Sequence, residues 1–274
     1  MNLRYILGAF VSFPLLPIMY FQGKRIRASV PKLPEAEGTE GFCDVCKNSD
    51  HAMNVIFLGE STFAGVGVDT HKEGFAGTFA KELSMLFNTN LSWRVYARSG
   101  YTAKRLTDKL IPKITEKNPT LIVIGLGGND AFTLNRPSKW NTEIRLVIES
   151  LTAKFPGAMI VFCNMPPIKE FPSFTSLIKF TVGNLVEILG EELRKTVKEY
   201  DHVFYFGDKI TLQGWITKFN LNNKKQDFFS DGVHPSKLTY QIWGKDIASE
   251  VFKNETLNKA LTTKTTAQKA LKKN

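Results

Sequence analysis

The chain has 274 residues, 43% hydrophobic and 23% charged, which excludes a disordered or fibrous protein and is enough for one sizeable core. The formal net charge of +10 points to anionic partners, but much of it sits at the ends: Lys24, Arg25 and Arg27 behind an apolar stretch, and Lys253, Lys259, Lys264, Lys269, Lys272 and Lys273 in the tail. That distribution fits a membrane-flanking cluster and a solubilised tail better than a nucleic-acid surface, and three cysteines exclude a dense disulfide framework.

Residues 5–21 are apolar apart from Ser12 and contain Pro14 and Pro17. At about 17 residues, the stretch is at the lower edge for a membrane-crossing helix, and prolines are tolerated there. Arg4 is the only charged side chain before it and no small-x-small cleavage site follows, so residues 1–23 are expected to form an uncleaved anchor. Three cations after the segment against one before favour an N-out, C-in orientation with the rest of the chain cytoplasmic. An interfacial, non-spanning anchor is the other option. Residues 24–52 read as a polar linker. Within it, Cys43-Asp44-Val45-Cys46 is a lone CxxC without a second pair, and reads as two free thiols or a small local disulfide.

From residue 54 a regular alternation begins. Apolar runs at 54–59, 93–97, 121–125, 158–162 and 203–206 predict strands. Helical spacing predicts helices at 74–87, 102–117, 140–155, 174–200 and 236–252. Strands separated by helices imply an α/β fold with a parallel, doubly wound sheet and helices on both faces. Ligands in such sheets bind beyond the carboxyl ends of the strands. The expected catalytic domain is therefore 53–253, followed by a basic tail at 254–274, read as a frayed helix or disordered.

Polar clusters fall on that edge. They are Gly59-Glu60-Ser61, Arg98-Ser99-Gly100, Gly127-Gly128-Asn129-Asp130 and Asp231-Gly232-Val233-His234. A phosphate loop is excluded: no Gly-Lys-Ser/Thr follows Gly67, and Thr70 stands where a dinucleotide fingerprint needs its third glycine. Acyl transfer fits better. A serine hydroxyl needs an adjacent base, which His234 supplies, and the imidazole needs an orienting carboxylate three residues away in Asp231. Backbone N–H groups of Ser61 and Gly100 and the Asn129 amide would serve as oxyanion donors.

In this order the four blocks resemble the SGNH hydrolases, the GDSL-type esterases and lipases. Over roughly 54–252 the resemblance implies a three-layer α/β/α fold with a five-stranded parallel, flavodoxin-like sheet. It also implies Ser61 as nucleophile, His234 as base, Asp231 as orienter, and Ser61, Gly100 and Asn129 as the oxyanion hole. Neither cofactor nor metal is expected. Departures from the pattern are Glu60, where the family carries aspartate, and Thr62, where it carries leucine. The implied reaction is hydrolysis of carboxylic esters through an acyl-enzyme. The expected partners are a lipid or small acyl ester and, through the N-terminal segment, a membrane; no specific nucleic acid is expected. Carbohydrate acetylesterase or thioesterase activity, or a membrane-tethered binding protein with a degenerate site, remain as alternatives. Asp69 and Asp208 are alternative orienters, and His51, His71 and His202 show no metal-ligand spacing.

Overall fold

The apolar runs form the middle of one sheet in a computed structural model, which describes residues 3–46 and 52–271. Helices α1 (Leu3–Ser12) and α2 (Leu16–Ser29) precede strand β1 (Glu40–Cys43). The body follows as β2 (Ala52–Gly59), α3 (Phe75–Phe87), β3 (Asn90–Ala97), α4 (Ala103–Lys109), β4 (Leu121–Gly125), α5 (Gly128–Phe132), α6 (Pro137–Lys154) and β5 (Met159–Phe162). It continues with α7 (Ser176–Val197), β6 (Val203–Tyr205), α8 (Leu212–Lys218), α9 (Lys237–Lys253) and α10 (Glu255–Leu271).

The six strands run in the order β1-β3-β2-β4-β5-β6. The last five are parallel in the flavodoxin-like order, and β1 pairs antiparallel with β3 at one edge. Successive strand residues feed opposite layers. Val55, Phe57, Val123 and Val161 face α3, α9 and α10, whereas Ile56, Leu58, Ile122, Ile124 and Ile160 face α4, α6 and α7. Burial on both sides is why these strands read as continuous apolar runs rather than alternations.

Several expectations are corrected. The sheet has a sixth strand, β1, inside the presumed linker; its residues alternate between exposed and half-buried, and Glu40 pairs with Arg94 across the edge. The helix expected over 102–117 stops at Lys109, and Pro112 belongs to a separate short 3₁₀ turn. The tail is not frayed at its start: α10 packs on the core through Leu257 and Leu261, both fully buried. Of the two readings of Cys43 and Cys46, the free thiols hold, and Cys163 is free as well.

Candidate active site

β2 ends at Gly59, which stands in register with Gly125 at the end of β4. A Cβ on Gly125 would lie 2.2 Å from the Phe63 ring and one on Gly59 2.6 Å from Phe63 Cβ, so both strands end in glycine to admit this side chain. The turn that follows is closed by Ala64 N–H to the Glu60 carbonyl at 2.8 Å and Val66 N–H to the Ser61 carbonyl at 3.1 Å. Two side chains fasten it to the far end of the sequence. Tyr240 Oη donates to the Val66 carbonyl at 2.8 Å, and Ser230 Oγ donates to the Gly67 carbonyl at 2.9 Å. Ser61 is thus carried, half-buried, on a turn braced from two sides.

The histidine loop is closed by a bridge between Phe229 and Pro235 and by Ser230 N–H to the His234 carbonyl at 2.9 Å. Asp231 Oδ1 accepts the backbone N–H groups of Val233 (2.9 Å) and His234 (2.7 Å), the local bonding that aspartate offers in a turn. Its Oδ2 lies 2.8 Å from His234 Nδ1. The Asp231 side chain is fully shielded, whereas that of His234 is 21% exposed. Burial opposes the charged form of Asp231, but the bonds from the His234 ring and from the two backbone N–H groups outweigh it and hold the carboxyl below its ordinary value. Neither alternative orienter occupies this place. Asp208 receives Asn164 Nδ2 on its carbonyl at 2.7 Å, and Asp69 is exposed.

Ser61, Gly100, Asn129 and His234 line one cleft of about 1100 Å³. Gly100 has φ +79°, with open space where a Cβ would stand. Asn129 Nδ2 donates to the Tyr101 carbonyl at 3.0 Å, which fixes the plane of the amide. An asparagine amide carries two N–H donors, so one remains for a ligand.

Three carboxylates that sequence reasoning did not use hold these pieces together. The fully buried Asp130 accepts Ala103 N–H at 3.2 Å, tying the loop that bears Gly100 to α5. Glu35, from the presumed linker, accepts Ser99 N–H at 2.8 Å and pairs with Arg98 at 2.9 Å. Glu60 accepts Gly128 N–H at 2.8 Å and Asn129 N–H at 2.9 Å, so the residue beside Ser61 anchors the backbone beneath Asn129. The only sequence signal was that Glu60 departs from the resembled pattern.

Burial pushes the Glu60 carboxyl up to about 7, against the two N–H bonds that favour its charged form. The native state therefore binds this proton more tightly than the unfolded chain, whose value is 4.5. The Glu60 contribution to stability is present below about 4.5 and is lost as pH rises through about 7, on the order of 3 kcal/mol in total. Urea unfolding between these pH values is expected to show that decline in the wild type and to lose it in Glu60→Gln. An identical slope in both proteins would contradict the assignment.

Among the described residues, the remaining histidines, His71 and His202, are not part of the cleft lining. His71 is buried, and burial lowers it to about 4. His202 Nε2 sits 2.8 Å from Thr152 Oγ1. His51 lies outside the described residues. Among the described residues no group of three His, Cys, Asp or Glu side chains is placed to hold a metal.

Residues 57–242 match the GDSL-like Lipase/Acylhydrolase family. "GDSL esterase/lipase WDL1" of Oryza sativa subsp. japonica is 22% identical over 63% of this chain and 66% of its own length. "Esterase TesA" of Pseudomonas aeruginosa is 25% identical over 42% of this chain and 57% of its own length. The chain thus spans less than two thirds of either curated relative. The crystal structure of a lipolytic protein of the G-D-S-L family from Veillonella parvula DSM 2008 superposes with a TM-score of 0.55 at 17% identity. That match covers 74% of this chain and 100% of the other, and it establishes the shared fold. From Phe57 in β2 to Ile242 in α9 the match takes in all four polar blocks, and the chain belongs to the GDSL-like lipase/acylhydrolase family.

Proposed function

We propose that the protein is a serine esterase that cleaves carboxylic esters through an acyl-enzyme. The observation that carries this reading is the buried Asp231 carboxylate on His234 Nδ1, in a cleft that Ser61 and Asn129 also line. With Nδ1–H held by Asp231, Nε2 is the basic nitrogen. It takes the Ser61 proton as Oγ bonds to the ester carbonyl carbon. The resulting oxyanion is met by the Asn129 amide and by the N–H groups of Ser61 and Gly100. Collapse breaks the carbon–alkoxy bond, and His234 passes the proton to the departing alcohol. A water, deprotonated in turn by His234, then releases the acid and restores Ser61. These steps require neither metal nor cofactor. The names of the two curated relatives, both esterases, point the same way.

The body is organised for this role as residues 53–253, with 24–52 connecting it to an anchor in 1–23 and adding β1 to the sheet, and with 254–274 following as a segment whose α10 packs on the core. Leu3–Ser29 is a helical stretch of 27 residues, long and apolar enough to cross a membrane and hardly buried, which supports membrane attachment. Three cations behind it against one before favour a domain on the cytoplasmic side. Protease added outside intact cells should leave the domain whole, and digestion from that side would refute the orientation. The test of the activity is a screen of purified protein against 4-nitrophenyl esters of increasing acyl length, beside the Ser61→Ala variant.

A further inference from the structure

The cleft has walls that ester hydrolysis alone does not require. One wall is α2, where Met19 and Ile26 pack against the same apolar cluster as α7, and Gln22 Oε1 accepts Thr175 Oγ1 at 2.7 Å. Facing it are Phe132, Phe174, Ile178 and Val182, so an apolar channel leads away from Ser61 and His234. At about 1100 Å³ the space far exceeds what an acetyl or butyryl group fills. Lys24, Arg27 and Lys32 also line it. All three are exposed, and none has a carboxylate partner among the described residues.

The helix that precedes this wall carries its own signal. α1 lies along α7, with Arg4 paired to Glu191. α7 carries Glu187, Glu191, Glu192, Arg194 and Lys195, so the two helices cannot cross a bilayer side by side. Away from α7, Leu7, Phe10 and Phe13 are 59%, 82% and 74% exposed. A helix with one packed face and one bare apolar face is suited to lying in the membrane interface, which brings the α2 wall and its cations to the lipid headgroups.

We propose that the cleft takes its substrate from the bilayer: an acyl ester of an anionic, phosphate-bearing lipid. Its acyl chain lies between α2 and α7, and its phosphate is held by Lys24, Arg27 and Lys32. Arginine and lysine together suit a phosphate, the former through paired N–H donors. The bond broken is the acyl carbon–oxygen bond; the acyl group passes to Ser61 Oγ and then to water, and the lipid hydroxyl keeps the proton delivered by His234. This inference rests on the esterase reading.

The test uses the full chain with vesicles of phosphatidylglycerol or phosphatidylcholine carrying the same acyl chains. Fatty-acid release is divided by each sample's own rate on soluble 4-nitrophenyl butyrate. Each basic side chain near an anionic surface is worth roughly a factor of five, so wild type should favour phosphatidylglycerol by roughly tenfold or more. The combined variant Lys24→Glu, Arg27→Glu, Lys32→Glu should bring the ratio near unity. Arg27→Glu should lower it more than Arg25→Glu, whose side chain is also exposed but does not line the cleft. Equal rates on the two lipids, or equal losses in the two single variants, would overturn the headgroup assignment while leaving the esterase intact. A water-soluble acyl glycerophosphate cleaved as fast as the vesicles would overturn the bilayer as the source. Butyrate hydrolysis that continues undiminished in Ser61→Ala would overturn the esterase reading and this inference with it.

Discussion

Replacing Ser61 with alanine is expected to lower kcat for ester hydrolysis by roughly 10⁴-fold or more, with KM little changed. The asymmetry follows from the architecture. Ser61 lies on a turn held by Tyr240, Ser230 and its own backbone bonds, none of which uses the serine hydroxyl. Alanine leaves the cleft, Asn129 and the Asp231–His234 pair in place, so substrate still binds while the attacking atom is gone. Some residual rate should persist, because oxyanion donors and binding still act on an attacking water. A drop in KM or a loss of thermal stability in place of the loss in kcat would place Ser61 in packing rather than chemistry.

Asp231→Asn is expected to cost about 10⁴-fold in kcat although the two residues have the same shape. Oδ1 of Asp231 receives two backbone N–H groups, so in the variant that position must be taken by the amide oxygen. The amide nitrogen then faces His234 Nδ1, now 2.8 Å from a carboxylate oxygen. Facing a donor, the ring must accept at Nδ1 and carry its proton on Nε2, where it cannot take the serine proton. The carboxylate also matters for acid stability. Its value is depressed below 3.8, so its contribution is present above about 3.8 and is lost as pH falls through the native value. The variant should lack this acid-side loss, which urea unfolding at low pH measures together with the kinetic defect.

How much of this was readable before the structure depended on how local the signal was. β4 and β5 are short apolar runs bounded by breaks, and their assignment needs no distant information. Asp231 and His234 are three residues apart, so one turn suffices to join them. β1 carries Gly41 and only half-buries alternate residues, which leaves too little apolar pattern to announce a strand. α5 spans five residues, less than two turns, and has no periodicity to detect. Glu60 is the clearest case of a long-range cause. It reads as a departure beside the nucleophile, yet its partners Gly128 and Asn129 lie 68 and 69 residues away. Glu35 was hidden for the same reason, since a polar side chain bonded to Ser99 across 64 residues leaves no trace in a local window. The apolar N-terminus reads as a long apolar helix, but that α2 also forms a wall of the cleft follows only from its packing against α7.

The central claim is that Ser61 is the nucleophile, and covalent trapping tests it most directly. A fluorophosphonate, which reacts with an activated serine hydroxyl, should modify the purified protein once, with the phosphonate mapped by peptide mass spectrometry to the segment containing Ser61. His234→Ala should abolish the labelling. Modification at a different serine, or ester hydrolysis that continues undiminished with Ser61 unmodified, would contradict the account.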